Sequence, residues 1–273
     1  MQRPSFNKEY IIRELDKLSS KISIPVKLFM IGGMGLIHFG LKDATKDIDV
    51  VLQSARELYA VTFALESLGY RSPSSVKISR PYREMEATKI LENRDGFRWD
   101  IFVQKVCRAL TFSKEMMSRA TNFYNKKRLK VLLASKEDIF LFKGITEREA
   151  DLEDMRLLAE SGLNWETIEQ ECRSQTALSG RLWENALYQN LVELREKHNI
   201  RSPIEKTLKK IVEERLTEDA LMKAVKEGNT TVTMISQTTK LPEYFIRKSV
   251  EKMEKKGLLR IDRSKRPYKL VLT

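Results

Sequence analysis

The first hundred residues alternate between apolar runs with strand character and apolar residues at helical spacing. Residues 6–18 carry apolar side chains at helical spacing, and residues 24–31 form a short apolar run typical of a strand. The pattern then predicts a short helix, a strand and a longer helix that ends at a glycine, at residues 34–39, 48–52 and 55–68.

A further pair of strands is predicted around a turn. The segment Asn93-Arg94-Asp95-Gly96 has the composition of a hairpin turn and is flanked by apolar residues. We therefore expect strands at residues 84–91 and 97–103, after a loop and short strand at residues 71–80. From Ser135, which begins a capping-box pattern, the chain is predicted to be largely helical, with helices at residues 151–160 and 179–197.

The C-terminal part of the chain has a pattern of its own. It predicts three helices and then two strands, at residues 217–227, 232–239, 243–256, 258–262 and 268–272. Ile246, Val250 and Met253 have the spacing of a small core on the third helix. This order resembles a winged helix-turn-helix. Together the patterns predict three domains, at residues 1–134, 135–212 and 213–273.

Composition excludes several classes of protein. The 273 residues contain 41% hydrophobic residues, and no run of 18 apolar residues could span a membrane. Residues 1–18 lack the apolar core of a signal peptide, and the two cysteines, Cys107 and Cys172, are far apart in sequence. A reduced, cytoplasmic protein is therefore expected, although a disulfide stays open. With two histidines in the chain, a histidine-rich zinc site is excluded.

The positive charge is concentrated near the C-terminus. The net charge is +12, and residues 201–273 hold 18 basic and 10 acidic residues, a net +8. Such asymmetry predicts a polyanionic partner, with nucleic acid favoured over a membrane surface. A lysine-rich surface that serves solubility is the alternative.

Candidate chemistry lies in the first domain. Gly32 and Gly33 close an apolar run, and such a turn lets backbone amides approach a phosphate. After thirteen intervening residues, Asp47 and Asp49 stand two positions apart on a predicted strand, so their carboxylates share one face. Asp100 is a third acidic residue within an apolar strand. Three carboxylates near a phosphate-sized turn are what a magnesium-bound nucleoside triphosphate requires.

The glycine pair, the Thr45-Lys46-Asp47-Ile48-Asp49 segment and the later Asp100 resemble the nucleotidyltransferase superfamily related to DNA polymerase beta. The resemblance covers about residues 20–105 and implies a mixed sheet flanked by helices. A second block, Lys143 followed by residues 148–154, resembles the abortive-infection type IV toxin nucleotidyltransferases. Many members of the superfamily have Gly-Ser at the turn, where this chain has Gly33.

The resemblance implies roles for these residues. Asp47, Asp49 and Asp100 would hold two Mg²⁺ ions, and Gly32 and Gly33 would hold the phosphates of an NTP. The implied reaction transfers a nucleoside monophosphate to a hydroxyl of RNA, such as a tRNA end, or of a protein, and releases pyrophosphate. Lys143 and Arg148 would contact phosphates. In the winged helix, the implied nucleic-acid contacts are Arg247, Lys248, Lys252, Arg263, Lys265 and Arg266.

Other interpretations stay open at this point. A glycine pair is often only a tight turn, an Asp-x-Asp pair is often solvated, and Lys143 could be an exposed helix lysine. Asp151 and Asp154 could be ordinary helix charges that pair with nearby basic residues. A winged helix can also serve protein contacts. The second hypothesis is a DNA-binding regulator or antitoxin-like protein on an inactive transferase scaffold.

Overall fold

The computed structural model describes residues 3–73, 87–107, 109–144, 149–264 and 266–273. The chain divides into two compact units, Met1–Glu205 and Lys206–Thr273. The first unit includes the predicted core and most of the predicted helical domain. No break in secondary structure occurs at residues 212 and 213, because one helix, Glu205–Lys226, runs through them. The three-domain division stays a prediction.

The first unit is built around a mixed sheet of eight strands. They are β1 Val26–Ile31, β2 Asp47–Leu52, β3 Lys89–Glu92, β4 Arg98–Val103, β5 Lys105–Val106, β6 Leu110–Thr111, β7 Thr121–Lys126 and β8 Leu129–Leu133. Their order in the sheet is β6-β5-β4-β2-β1-β8-β7, with β3 also paired to β4. At the centre of the sheet β1 is antiparallel to β2 and parallel to β8, and β2 is parallel to β4.

Eight helices are described in this unit. They are α1 Lys8–Lys21, α2 Gly33–His38, α3 Ala55–Ser67, α4 Lys114–Arg119, α5 Lys136–Lys143, α6 Glu149–Glu160, α7 Trp165–Ser179 and α8 Trp183–His198. The apolar faces of α1 and α3 share one core with alternate residues of the sheet, among them Ile48, Val50, Trp99 and Ile101. This mixed sheet with flanking helices confirms the predicted α+β class.

Several elements of the first unit differ from the predictions. Residues 165–179 form a helix within the region predicted to be largely helical, where no separate helix was placed, and the helix predicted at residues 179–197 begins later, at Trp183. Between them Gly180 has a φ of 72°, which ends α7 in a left-handed turn. The hairpin of β7 and β8 was also not predicted. The hairpin of β3 and β4 is present, while residues 74–86 of the predicted loop and strand lie outside the described residues.

The second unit follows its predicted order of elements. Its helices are α9 Glu205–Lys226, α10 Val232–Thr239 and α11 Glu243–Lys255, and its antiparallel strands are β9 Leu259–Asp262 and β10 Lys269–Leu272. Ile246, Val250 and Met253 are buried in its core, as their spacing predicted. The Leu270 amide donates to the Thr230 carbonyl, so β10 is also fixed to the segment before α10. The winged-helix assignment stays a prediction.

Candidate active site

The three aspartates lie on neighbouring strands of the central sheet. In the parallel pairing of β2 with β4, Asp49 is the register partner of Asp100, and Asp47 is that of Arg98. Register partners on paired strands point to the same face of the sheet. The apolar residues on either side of Asp49 and Asp100 point to the opposite face, into the core. Asp100 is fully buried, whereas Asp47 and Asp49 are half-buried. Strand register therefore brings Asp49 beside Asp100, although the two are far apart in sequence.

The glycine turn packs directly against this acidic face. Gly32, at the end of β1, has a φ of 69°, in the left-handed region. A Cβ atom at Gly32 would lie 2.1 Å from Oδ2 of Asp49, and one at Gly33 would lie 2.5 Å from Oγ1 of Thr45. Gly32 therefore requires glycine, whereas a side chain at residue 33 would require Thr45 to move. The Thr45 hydroxyl fills the space that a side chain at residue 33 would need.

We expect Gly32→Ala to lower the free energy of unfolding by about 1–3 kcal/mol and to weaken nucleotide binding. The substitution places a Cβ at positive φ and forces the Asp49 carboxylate to rotate. Gly40→Ala is the matched control, because Gly40 also has a positive φ, of 72°, but a Cβ atom there would meet no atom within 4 Å. Urea unfolding and NTP titration of both variants measure the difference. Equal losses in the two variants would mean that the contact with Asp49 contributes nothing.

Asp47 has a basic partner from outside the sheet. Nη1 of Arg3 lies 3.1 Å from Oδ2 of Asp47, and Nη2 of Arg3 donates to the Lys46 carbonyl oxygen at 2.8 Å. Phe6 and Thr45 form a short antiparallel bridge with two backbone hydrogen bonds. The segment that contains Arg3 therefore lies along the residues that lead into β2. Sequence patterns did not indicate this contact.

The described residues contain no group of three His, Cys, Asp or Glu side chains that is already arranged around a cation position. In this region Asp47 is bound to Arg3, and the Asp49 carboxylate lies against Gly32. The donor set still fits a hard divalent cation, because carboxylate oxygens are the ligands that Mg²⁺ prefers. Adjacent carboxylates also repel each other, and a cation relieves that repulsion.

Lys143 lies in a buried ion network. Its Nζ is 2.6 Å from Oδ1 of Asp151 and 2.9 Å from Oδ2 of Asp154, and Asp154 also binds Lys42. Burial opposes protonation of Lys143, but the two carboxylates outweigh it and raise its pKa. The network joins α5 and α6 to the loop between α2 and β2. Arg148, the other predicted phosphate contact, lies outside the described residues.

The predicted nucleic-acid contacts of the second unit differ in their surroundings. Arg247 pairs with Glu243, Lys252 with Glu214 and Arg263 with Glu254. Hydrogen bonds from Arg263 and from the Ile261 amide lower the pKa of Glu254 to about 2. By contrast, Arg266 lies over the exposed ring of Tyr268, and Lys248 is exposed. Lys265 lies outside the described residues.

Comparison with known proteins identifies the family. Residues 9–202 match the model of a family described as a nucleotidyltransferase of unknown function, DUF6036. The chain belongs to this family. The match extends across the sheet, the glycine turn, the three aspartates and the helices that follow. The protein is therefore a nucleotidyltransferase by family, which confirms the superfamily predicted from its motifs.

Comparison with solved structures gives a more distant similarity. The chain is similar to the crystal structure of the lincosamide antibiotic adenylyltransferase LnuA with lincomycin bound. The match covers 58% of this chain and 100% of the LnuA chain, with 19% sequence identity and a TM-score of 0.40. No curated protein is significantly similar to the chain. None of the helices in the described part of the chain has the length and apolar character needed to cross a membrane.

Proposed function

We propose that the protein transfers a nucleoside monophosphate from an NTP to a hydroxyl acceptor on RNA or protein, depends on Mg²⁺ and releases pyrophosphate. The observation that carries this proposal is the pairing of Asp49 with Asp100 in strand register beside the Gly32 turn, within a nucleotidyltransferase family. A buried carboxylate such as Asp100 is costly unless it binds or pairs with a cation. The acidic face is thus suited to an NTP that arrives with its metal.

In this proposal Asp47, Asp49 and Asp100 would hold two Mg²⁺ ions. Bound there, Mg²⁺ would neutralise phosphate charge and lower the pKa of the acceptor hydroxyl. The sheet fixes where Asp49 and Asp100 stand, because both side chains project from paired strands rather than from loops. Rigid placement of this kind favours transfer because the reacting groups are held in line.

The phosphates would contact backbone amides at Gly32 and Gly33. With no Cβ at either residue, the chain turns closely past Asp49 and Thr45, and a phosphate can approach the backbone. Lys143 and Arg148 are proposed as further phosphate contacts. For Lys143 such a contact competes with Asp151 and Asp154, which already bind its ammonium group.

Transfer of label tests the enzymatic proposal. The full chain is incubated with Mg²⁺, each α-³²P-labelled NTP and total RNA or cell lysate, and ribonuclease or protease treatment then identifies the acceptor class. We expect label on one class of acceptor with the wild type and none with Asp47→Ala or Asp49→Ala. Label that persists in both variants would refute the assigned site. Calorimetric titration of each NTP with Mg²⁺ distinguishes a functional site from an inactive scaffold.

The second unit is proposed to bind nucleic acid, and its basic cleft is the observation that favours a DNA-binding regulator as the second candidate. Arg247, Arg263, Arg266 and Tyr268 line this cleft of about 580 Å³, together with Glu251, between the start of α10, α11 and the β9–β10 hairpin. Cations near a phosphate backbone give affinity that falls steeply with salt. Binding of DNA without any binding of Mg²⁺ and NTP would favour the regulator.

We expect Arg266→Ala to weaken binding of nucleic acid more than Lys252→Ala does. Glu214 already neutralises Lys252, whereas Arg266 presents its guanidinium over an exposed aromatic ring that can stack with a base. Fluorescence anisotropy of the full chain with labelled RNA and DNA, at several salt concentrations, measures both affinities. The hypothesis fails if the two variants lose affinity equally or if the wild type binds neither nucleic acid at low salt.

A further inference from the structure

The N-terminal segment, residues 3–6, places the Arg3 guanidinium against Asp47, one of the proposed metal ligands. The Arg3 guanidinium contacts Asp47 at 3.1 Å and the Lys46 carbonyl at 2.8 Å, so it binds the side chain and the backbone of the same short segment. Both partners are only partly accessible, with 23% of the Arg3 side chain and 20% of the Asp47 side chain exposed. Arg3 therefore lies where a cation bound to Asp47 would be repelled.

The packing of this segment fixes the position of Arg3. The amide of Phe6 donates to the Thr45 carbonyl at 2.7 Å, and the amide of Thr45 donates back at 3.0 Å. The Phe6 ring is buried in an aromatic cluster, with ring centroids 4.5 Å from Tyr10 and 5.0 Å from Phe97. These contacts hold the segment beside β2 through interactions that do not involve the arginine side chain. Arg3 can thus leave Asp47 while its backbone stays in place.

An arginine is a suitable competitor for a divalent cation. Its guanidinium keeps its charge at every physiological pH, so pH does not relieve the competition. A partly exposed ion pair contributes little net free energy, so a divalent cation that binds several carboxylates can displace it. The competition therefore lowers the affinity for the cation without preventing binding.

We infer that Arg3 is a positioning residue that neutralises Asp47 before the divalent cation binds, and that the cation must displace the Arg3 guanidinium from this carboxylate. The inference rests on the proposed function, because it takes Asp47 as a metal ligand. It adds that the Arg3 contact raises the concentration of divalent cation at which the site becomes occupied. Removal of the Arg3 charge should then make the cation bind more tightly.

Binding of Mn²⁺ to the full chain, followed by electron paramagnetic resonance, tests the inference without a measurement of activity. We expect Arg3→Gln to bind Mn²⁺ about 3- to 10-fold more tightly than the wild type. Arg13→Gln is the control for net charge, because Arg13 is an exposed arginine over the Tyr10 ring on α1. It should bind Mn²⁺ within about twofold of the wild type.

Melting temperature with and without saturating Mg²⁺ gives a second readout that also reports folding. Arg3→Gln removes the guanidinium that competes with Mg²⁺ for Asp47. Saturating Mg²⁺ should therefore raise the melting temperature of this variant by more than it raises that of the wild type. Unchanged or weaker Mn²⁺ affinity in a folded Arg3→Gln protein would overturn the inference. Asp47→Asn and Asp49→Asn separate this failure from failure of the proposed function: if both retain wild-type Mn²⁺ affinity, the proposed metal site itself is wrong.

Discussion

Replacement of Asp49 by asparagine is expected to reduce nucleotide transfer at least about a thousandfold, which corresponds to about 4 kcal/mol in the activation barrier. Asparagine keeps the size of the side chain and its place against Gly32, so the fold should persist. It removes the negative charge that the proposed metal site needs, beside the buried Asp100. Initial rates of labelled NMP transfer at saturating NTP measure the effect.

Two further variants make this result specific. Asp100→Asn should have a comparable effect, because Asp100 is the register partner of Asp49. Asp43→Asn removes the same charge from an exposed residue before β2 and should retain wild-type activity. If Asp43→Asn and Asp49→Asn lose activity equally, net charge rather than the acidic face explains the loss. Full activity in Asp49→Asn would exclude Asp49 from catalysis.

Replacement of Lys143 by methionine is expected to lower the free energy of unfolding by about 3–5 kcal/mol, because removal of one member of a buried ion network is strongly destabilising. Asp151 and Asp154 are both buried, and Lys143 binds each of them within 3 Å. The raised pKa of Lys143 means that its stabilising charge is present below the ordinary lysine pKa and is lost as the pH rises through the folded-state value. Urea unfolding at neutral pH measures the change.

Controls distinguish a structural from a nucleotide-binding role for Lys143. Lys114→Met, on the exposed surface of α4, should change stability by less than about 0.5 kcal/mol. Adding Asp151→Asn to Lys143→Met removes a buried carboxylate that has lost this partner, while Asp154 keeps its pair with Lys42, and should recover part of the lost stability. If Lys143→Met is as stable as the wild type but binds NTP poorly, the lysine acts on phosphate and its ion pairs are incidental.

Strong local patterns explain which elements were predicted from the sequence. The turn at residues 93–96 and the apolar runs beside it yielded the hairpin of β3 and β4. On α11, the apolar side chains repeat at helical spacing, and the helix ends next to Gly257, so its extent was predicted to within one residue. In these cases the local pattern was sufficient to predict the element.

Elements whose polar residues are satisfied by distant partners were not predicted. On α7, Glu171 and Gln175 are buried because they bind Arg119 and the backbone of Thr111, so the helix has no clean apolar stripe. The exposed strand β7 has a polar sequence and lies at the edge of the sheet. Its partner β8 is apolar and buried, but β8 also pairs with β1, which is distant in sequence, and a local pattern does not indicate such a pairing.

Within the candidate site, the sequence suggested the glycine turn and the three aspartates, but not the contacts around them. The Asp-x-Asp spacing implied one face of a strand, and register later placed Asp100 on that face. The pairing of Arg3 with Asp47 depends on how residues 3–6 pack, which no local pattern encodes. The same holds for Lys143, whose two carboxylate partners lie on the next helix.

The parallel alignment of β2 and β4 has a consequence for how such a protein can diversify. Backbone pairing between these two strands, not the length of the connecting chain, sets the spacing between Asp49 and Asp100. The entropic cost of a longer connection grows only slowly with its length. Insertions and deletions between the two strands could therefore accumulate and reshape the surroundings of a substrate, while the paired carboxylates kept their separation.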